Sequence, residues 1–371
     1  MEDLVAAMFN DFFRGRRVLV TGHAGFKGSW LCLLLHHLGA QIFGYSLLPD
    51  SSPRLYEICG ISKLLSGEKI ADIRDSEALR RFVQQSEPEI ILHLAAQPLV
   101  IESYHDPVGT YTTNVIGTLN VLEAARSCPS VKAFVNVTTD KCYENKEDGR
   151  AYKEDDALGG YDMYSSSKAC SEILTASYRR SFLSKEGTFR LASARAGNVI
   201  GGGDFSANRL LVDCVKALIK GEDIEIRHPH ATRPWQHVLE PLVAYLNLAK
   251  HLYEGDDTCL GGFNFGPDSN QILTVYEVAQ LVTKIWGKGH IKTNVNSEFH
   301  EASALTLNNN KAEKILGIKP ILNIQQALEI TLGWYKSFYT TSDCMKEITI
   351  NQIKDFEKKY QLAKVKELCK G

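Results

Sequence analysis

No stretch of this sequence stays apolar for the ~18 residues that a membrane-spanning helix needs. Nor is there a charge excess: 42 basic against 44 acidic residues leave −2 at pH 7, which argues against a general nucleic-acid or membrane-surface binder. The nine cysteines contain no C-x-x-C pair, are odd in number and lie scattered. That pattern fits reduced thiols in a cytoplasm better than a disulfide frame or a zinc site. The opening "MEDLVAAMFNDFFRGRR" is acidic at its head and has no secretory core, so no signal peptide is expected. Internal repeats and low-complexity linkers are missing. The remaining composition, 44% apolar and 23% charged, is that of a soluble globular enzyme.

What is present is an alternation. Short apolar runs at 16–22, 41–46, 89–95, 133–138 and 190–196 read as strands. Helical patterns at 26–38, 75–86, 105–127 and 161–184 lie between them. This spacing predicts right-handed crossovers and a parallel sheet covered on both faces. After about residue 200 the rhythm breaks at "GGGDF". Helices are then expected at 207–220, 236–253, 274–286, 310–316 and 324–340, with a strand at 290–295, and "GFNFG" (262–266) rejoins the sheet. The expectation is an α/β fold: a Rossmann-type doubly wound parallel sheet with a smaller C-terminal substrate-binding lobe. Its parts are a dinucleotide-binding domain over 14–200 that 236–266 rejoins, a lobe over 201–345, and a charged helical tail over 346–371.

The stretch "VLVTGHAGFKGSW" is a strand, then Gly22, Gly25 and Gly28, then a helix. Such a turn brings bare backbone and a helix N-terminus to a pyrophosphate, with Phe26 and Lys27 in the same turn. A plain turn is the bland alternative. The G-x-x-G-x-x-G spacing resembles the extended short-chain dehydrogenase/reductase family. The acid usually found at the end of the second strand is replaced by Ser46 in "GYSLLP". The choice between NAD and NADP therefore stays open on charge alone, with Arg54 as the phosphate ligand if NADP binds. The resemblance implies an adenine contact from Asp72, after a third strand. It also implies a cofactor groove lined by Ile73, Leu94, Ala95, Ala96 and Thr138.

"YDMYSSSK" sets Tyr164 and Lys168 four apart, on one helix face. A phenol is a poor base at neutral pH, and an ammonium nearby favours its phenolate. With Thr139 at the carboxyl end of the fifth strand, the three form a set that takes a proton from an alcohol as its hydride leaves. The alternative is an exposed helix with an incidental Tyr and Lys. "TTDKCY" poses a sharper question: Asp140 and Lys141 are either a solvated ion pair or a working acid and base.

"HLAAQ", "TTDKCY", "GGYDMYSSSKACSE", "RAGNVIGGGDF", "RPWQHVLEPL" and "HEASALTLNNNKA" resemble the nucleotide-sugar branch of that family, and within it the 4,6-dehydratases acting on CDP-glucose. The resemblance implies bound NAD, a nucleotide-diphosphate sugar as substrate, a homodimer through 105–127 and 161–184, and a place in deoxysugar biosynthesis. It assigns Tyr164 to the C4 hydroxyl proton and Asp140 to the departing C6 hydroxyl. Lys141 stands where the dTDP-glucose enzymes carry a Glu. It assigns Gln97, Asn198, Arg209 and Arg233 to the substrate. No metal is expected: His228 and His230 in "RHPHATRP" lack carboxylate or Cys partners at suitable spacing. A nucleotide-sugar 4-epimerase and a non-catalytic nucleotide sensor are the competing readings. Asp140 and Lys141 speak against the first, and the intact Thr139, Tyr164 and Lys168 against the second.

Overall fold

A computed structural model describes residues 8–50, 52–183, 189–268, 271–293 and 304–368. Seven strands form one sheet: β1 Arg17–Thr21, β2 Gln41–Ser46, β3 Gly67–Ile70, β4 Ile90–His93, β5 Ala133–Val137, β6 Arg190–Ala196 and β7 Gly261–Phe265. Their spatial order is β7-β6-β5-β4-β1-β2-β3. Every adjacent pair is parallel. Strand order reverses between β1 and β4, and ligands of such sheets bind beyond the carboxyl ends at that point.

The central strands read as apolar runs because helices cover both of their faces. Val18, Leu19, Val20, Ile90, Ile91 and Leu92 are fully buried. The edge strand β3, "GEKI", has no buried residue, so it carries no apolar signature. The segment "GFNFG" does join the sheet, as β7 beside β6.

Helix α1, Phe26–His37, is buried without interruption from Gly28 to Leu35. A helix apolar all round needs cover on every side. The sheet supplies one side, α3 (Leu239–Glu254) another, and α5 (Met345–Leu368) a third. The long helix α2, Met163–Phe182, starts at an Asp162 cap whose carboxylate accepts from the Ser165 N–H at 2.9 Å. Helix α4, Ile324–Thr340, begins in a capping box of Asn323 and Gln326. The tail docks as a helix: Ile353 and Phe356 are buried, Glu357 meets His37 at 2.7 Å, and the Trp334 indole donates to Thr349 at 2.9 Å.

The helix expected over 105–127 is found over Pro107–Arg126, as one continuous run. Its middle, Thr112–Gly117, winds as a π-helix between α-helical Pro107–Tyr111 and Thr118–Arg126, and a separate short helix, Val100–His105, precedes it. Pro107 has no N–H to continue that short helix, and Asp106 caps the longer one by accepting from Gly109 N–H at 2.8 Å. Part of the strand expected at 290–295 is found, as Ile291–Thr293 paired with Ile224–Ile226. Residues 294–295 of that strand, and 300–303 of the "HEASALTLNNNKA" motif, lie outside the described residues.

Glu240, in the first turn of α3, is buried and accepts from the backbone N–H groups of Ile321 (3.0 Å) and Leu322 (2.7 Å). Burial pushes its carboxyl up to about 7, and the two N–H donors only partly offset this. An acid whose folded pKa is raised loses stability as pH climbs from its ordinary value through the raised one. Glu240→Gln keeps an acceptor without the charge. Its melting temperature should equal the parent's near pH 4.5 and exceed it increasingly up to pH 8, in paired thermal melts.

Candidate active site

The chain leaves β1 at Thr21 and turns at Gly22, with φ at +76°. A Cβ there would lie 2.7 Å from the Ala95 nitrogen, so only glycine lets the ends of β1 and β4 meet. At Gly28 a Cβ would lie 2.1 Å from the Gly22 carbonyl oxygen, which seats α1 directly on the turn. Gly25 is the N-cap and provides no side-chain acceptor for the first-turn N–H groups. Lys27 is half-buried in that turn. Burial, then Arg209, lowers its ammonium to about 8, while Asp140 and Asp204 counter this. A side-chain-free cradle, a helix start without its own cap and a desolvated lysine suit a dinucleotide pyrophosphate.

The rest of the expected groove is only partly open to a cofactor. Ser46 closes the second strand and donates to the Leu47 carbonyl at 2.5 Å. Arg54 is held by the Pro49 carbonyl and by Glu57, each at 2.5 Å, and is already engaged. The Asp72 carboxylate takes the Arg74 backbone N–H (2.8 Å) and guanidinium (2.6 Å), which holds it below the usual carboxylate range. Ile73 packs against Gly117. Leu94 and Ala95 bond Thr21 through their N–H groups at 3.1 and 3.3 Å, with Ala96 half-buried beside them.

Two expected side chains point elsewhere. Thr138 donates its hydroxyl to Glu172 inside the protein. It shares a strand face with Asn136, which donates to Ser171 (3.0 Å) and Thr175 (2.8 Å) of α2. Gln97 binds its own loop, donating to the Leu99 carbonyl (3.0 Å) and Thr110 (2.9 Å) and accepting from the Leu99 N–H.

The catalytic candidates do converge. Beyond β5, Thr139 is extended and caps a short helical turn over Asp140–Cys142, accepting from the Lys141 N–H at 3.3 Å. This turn swings Asp140 and Lys141 out of strand alternation. The Thr139 hydroxyl donates to Asp140 Oδ1 at 2.9 Å and also meets the Tyr164 phenol. Asp140 is 2% exposed, and its Oδ2, against Gly197, has no partner among the described residues. Burial raises its carboxyl, with Lys141, the Thr139 bond, Arg233 and Lys27 opposing in that order. A buried carboxyl kept toward its protonated form is suited to general-acid work.

Lys168 is buried, and its ammonium is 3.4 Å from the Val137 carbonyl. Burial lowers it to about 8, and Glu172 opposes. The Tyr164 phenol is buried as well. Burial raises the phenol to about 12; Thr139 and Arg209 pull it down, and Asp140 pushes it further up. Arg233 is buried near Asp140 and donates to the Thr232 carbonyl at 2.9 Å. Arg209 pairs with Asp204 at 3.2 Å. Asn198 is half-buried, and its backbone carbonyl accepts from the Gln236 backbone N–H at 3.0 Å. Away from the site, His251, Asp256 and Cys259 bring donor atoms within 4.8 Å of one another. Asp256 already accepts from Thr258 (2.6 Å), His251 (3.1 Å) and Cys259 (3.4 Å), closing that turn.

Sequence reasoning missed Glu172, Arg195 and Tyr143. Arg195 and Glu172 form a buried pair at 2.8 Å, and Arg195 donates to the Tyr143 oxygen at 2.7 Å. Period-two alternation through Asn136 and Thr138 was the available signal, since it aims both at α2.

A parallel sheet of this order, with a bare turn at its switch point and a Tyr-Lys helix across it, defines a short-chain dehydrogenase/reductase of the extended type. A family model described as GDP-mannose 4,6 dehydratase matches residues 19–331, and the chain belongs to that family. It is 41% identical over 340 residues to a CDP-glucose 4,6-dehydratase of Salmonella typhimurium, covering 90% of this chain and 94% of the relative. Among solved structures it resembles an epimerase from Methanothermobacter thermautotrophicus (TM-score 0.77, 21% identity, 89% and 94% covered). It also resembles a dTDP-glucose 4,6-dehydratase from Streptomyces venezuelae with NAD bound (TM-score 0.75, 23% identity, 87% and 99% covered). Both structures show the fold.

Tyr164→Phe removes one oxygen from a closely packed site. It should cut turnover at least ~100-fold, the lower range for losing a general acid–base group, and leave nucleotide-sugar binding by calorimetry near the parent's.

Proposed function

We propose that this enzyme dehydrates CDP-D-glucose to CDP-4-dehydro-6-deoxy-D-glucose with tightly held NAD. The observation that carries the reading is Asp140: a buried carboxyl with a free oxygen, touching Thr139 and facing Tyr164. An epimerase needs no acid for a C6 hydroxyl. The identity to a CDP-glucose enzyme selects cytidine over other bases, and the engagement of Arg54 by Glu57 favours NAD over NADP.

Gly22, Gly25, Phe26, Lys27 and Gly28 would hold the dinucleotide, with Ser46 and Asp72 further along the groove. When bound, NAD accepts a hydride from C4 and returns it to C6. Tyr164, through the Thr139 hydroxyl, takes the C4 hydroxyl proton. The resulting ketone acidifies C5–H, and Lys141, half-buried beside Asp140, serves that step as base or as a charge stabilising the enolate. Asp140 gives its proton to the C6 hydroxyl, which leaves as water. Arg233, and Arg209 with Asn198, receive the diphosphate sugar; a planar guanidinium suits a pyrophosphate. On this reading 201–345 is mainly the substrate lobe, and the enzyme works in the cytoplasm, supplying deoxysugars of the lipopolysaccharide O-antigen kind.

A homodimer accompanies the proposal. Val108 (71% exposed), Ile116 (49%), Ile173 (54%) and Phe182 (48%) leave apolar area uncovered on the Pro107–Arg126 region and α2, which pack together. Solution scattering should give a dimer at micromolar concentration; a monomer there overturns this part.

The function is tested by incubation with CDP-, dTDP-, UDP- and GDP-glucose and mass spectrometry. Loss of one water from the CDP sugar alone supports the reading, and an isomer of unchanged mass supports the epimerase instead. In deuterated water, Lys141→Met should oxidise C4, seen as reduced-nicotinamide absorbance, while C5 exchange and water loss slow greatly. Normal product formation would return Lys141 to a surface charge.

A further inference from the structure

Beneath the catalytic turn lies a charge pair that the reaction chemistry does not use. Glu172 stands one helical turn beyond Lys168 on α2, and Arg195 stands near the end of β6. The two meet at 2.8 Å with side chains 3% and 5% exposed. One Glu172 oxygen accepts from the Thr138 hydroxyl; the other accepts from Ser193 (2.6 Å) and Arg195. The guanidinium also donates to the Tyr143 oxygen (2.7 Å) and the Glu154 carbonyl (3.1 Å). Tyr143 donates onward to Asn264 Oδ1 at 2.7 Å, and the Asn264 amide donates to the Tyr152 carbonyl at 2.9 Å. Thr138 and Tyr143 are the residues immediately before and after Thr139–Cys142.

We infer that the Glu172–Arg195 pair is a positioning device for the catalytic turn, with Thr138 fixing its entry and Tyr143 its exit. The inference rests on the function proposed above. Four residues pinned at both ends to one helix and one strand hold Thr139 and Asp140 against Tyr164, and reaction rates are sensitive to shifts of about 1 Å in such a set. The two anchors serve different halves of the reaction. Thr138 adjoins Thr139, which shares the C4 proton. Tyr143 closes the turn that carries Asp140 and Lys141, which act in the loss of water.

The test compares Tyr143→Phe and Thr138→Val with the parent enzyme. Neither changes a charge or a shape by more than one atom. Tyr143→Phe also retains the aromatic ring, which in the parent stacks on Tyr152 at a centroid distance of 5.2 Å. Tyr143→Phe should slow water loss about 10-fold while C4 oxidation keeps pace, so that reduced nicotinamide accumulates during turnover. Thr138→Val should slow C4 oxidation first, with no such accumulation. In both, KM for the nucleotide sugar should stay within about twofold, because only the reacting groups shift. Hydrogen exchange of the 139–143 amides should quicken while that of β4 and α1 does not. Normal turnover in both variants, or a loss of rate with exchange quickened throughout the sheet, overturns the inference. If the parent enzyme dehydrates no nucleotide sugar, the proposed function falls, and exchange at 139–143 still decides whether the pair anchors the turn.

Discussion

Taking the Glu172 carboxylate and the Arg195 guanidinium out of water costs several kcal/mol per ion. The structure offsets that cost by giving both carboxylate oxygens partners and by sharing the guanidinium between a phenol and a carbonyl. The pair ties α2 to β6, the Thr138 hydroxyl adds the end of β5, and Tyr143 with Asn264 adds β7. Three adjacent strands and the helix bearing Tyr164 and Lys168 therefore share one electrostatic knot. Removing either charge would strand the other in the interior, and the carboxyl edge would lose its common reference.

Along that edge, burial drives each ionisable group toward its neutral form, raising acids and lowering bases. It keeps Asp140 toward its neutral form, and it lowers Lys27 and Lys168 toward theirs, each to about 8. Three cationic side chains, Lys27, Lys141 and Arg233, act on one carboxyl whose second oxygen is free. This is a site short of negative charge, and a diphosphate supplies it. Burial likewise raises the Tyr164 phenol, to about 12. His93, between Thr21 (2.6 Å) and Thr118 (3.1 Å), joins β1 to β4 and the following helix as a neutral ring, its pKa lowered to about 3 by burial.

Much of this fold was readable because burial on both faces writes itself as apolar runs. β4 and β5 follow that rule, and α4 spans the 324–340 that its periodicity predicted. β3 was silent because an edge strand buries too little. The 105–127 region also follows its periodicity, as a continuous helix from Pro107 to Arg126 that begins where Asp106 caps it and Pro107 takes the first helical position. At the site, Thr139, Asp140, Tyr164 and Lys168 could be found from spacing and position. Gln97 and Thr138 could not be assigned that way: their sequence neighbours face the groove, but their own polar atoms are consumed within the protein. Which way a polar side chain turns depends on its partners, and Glu172 and Arg195 meet only once α2 has packed back on the strand that follows it.

Helix α1 is apolar on all sides, yet the face covered by α5 receives its cover from residues made about 300 positions later in the chain, so during synthesis it stays bare while domains generally fold as units from the N-terminus. The dinucleotide cradle sits at the start of this same helix. A nascent chain can thus assemble its sheet and glycine turn and still present a greasy helix flank to chaperones until Met345–Leu368 arrives. The tail meets α1 at its far end, where Glu357 bonds His37, so the cradle and the late-made cover occupy opposite ends of one helix.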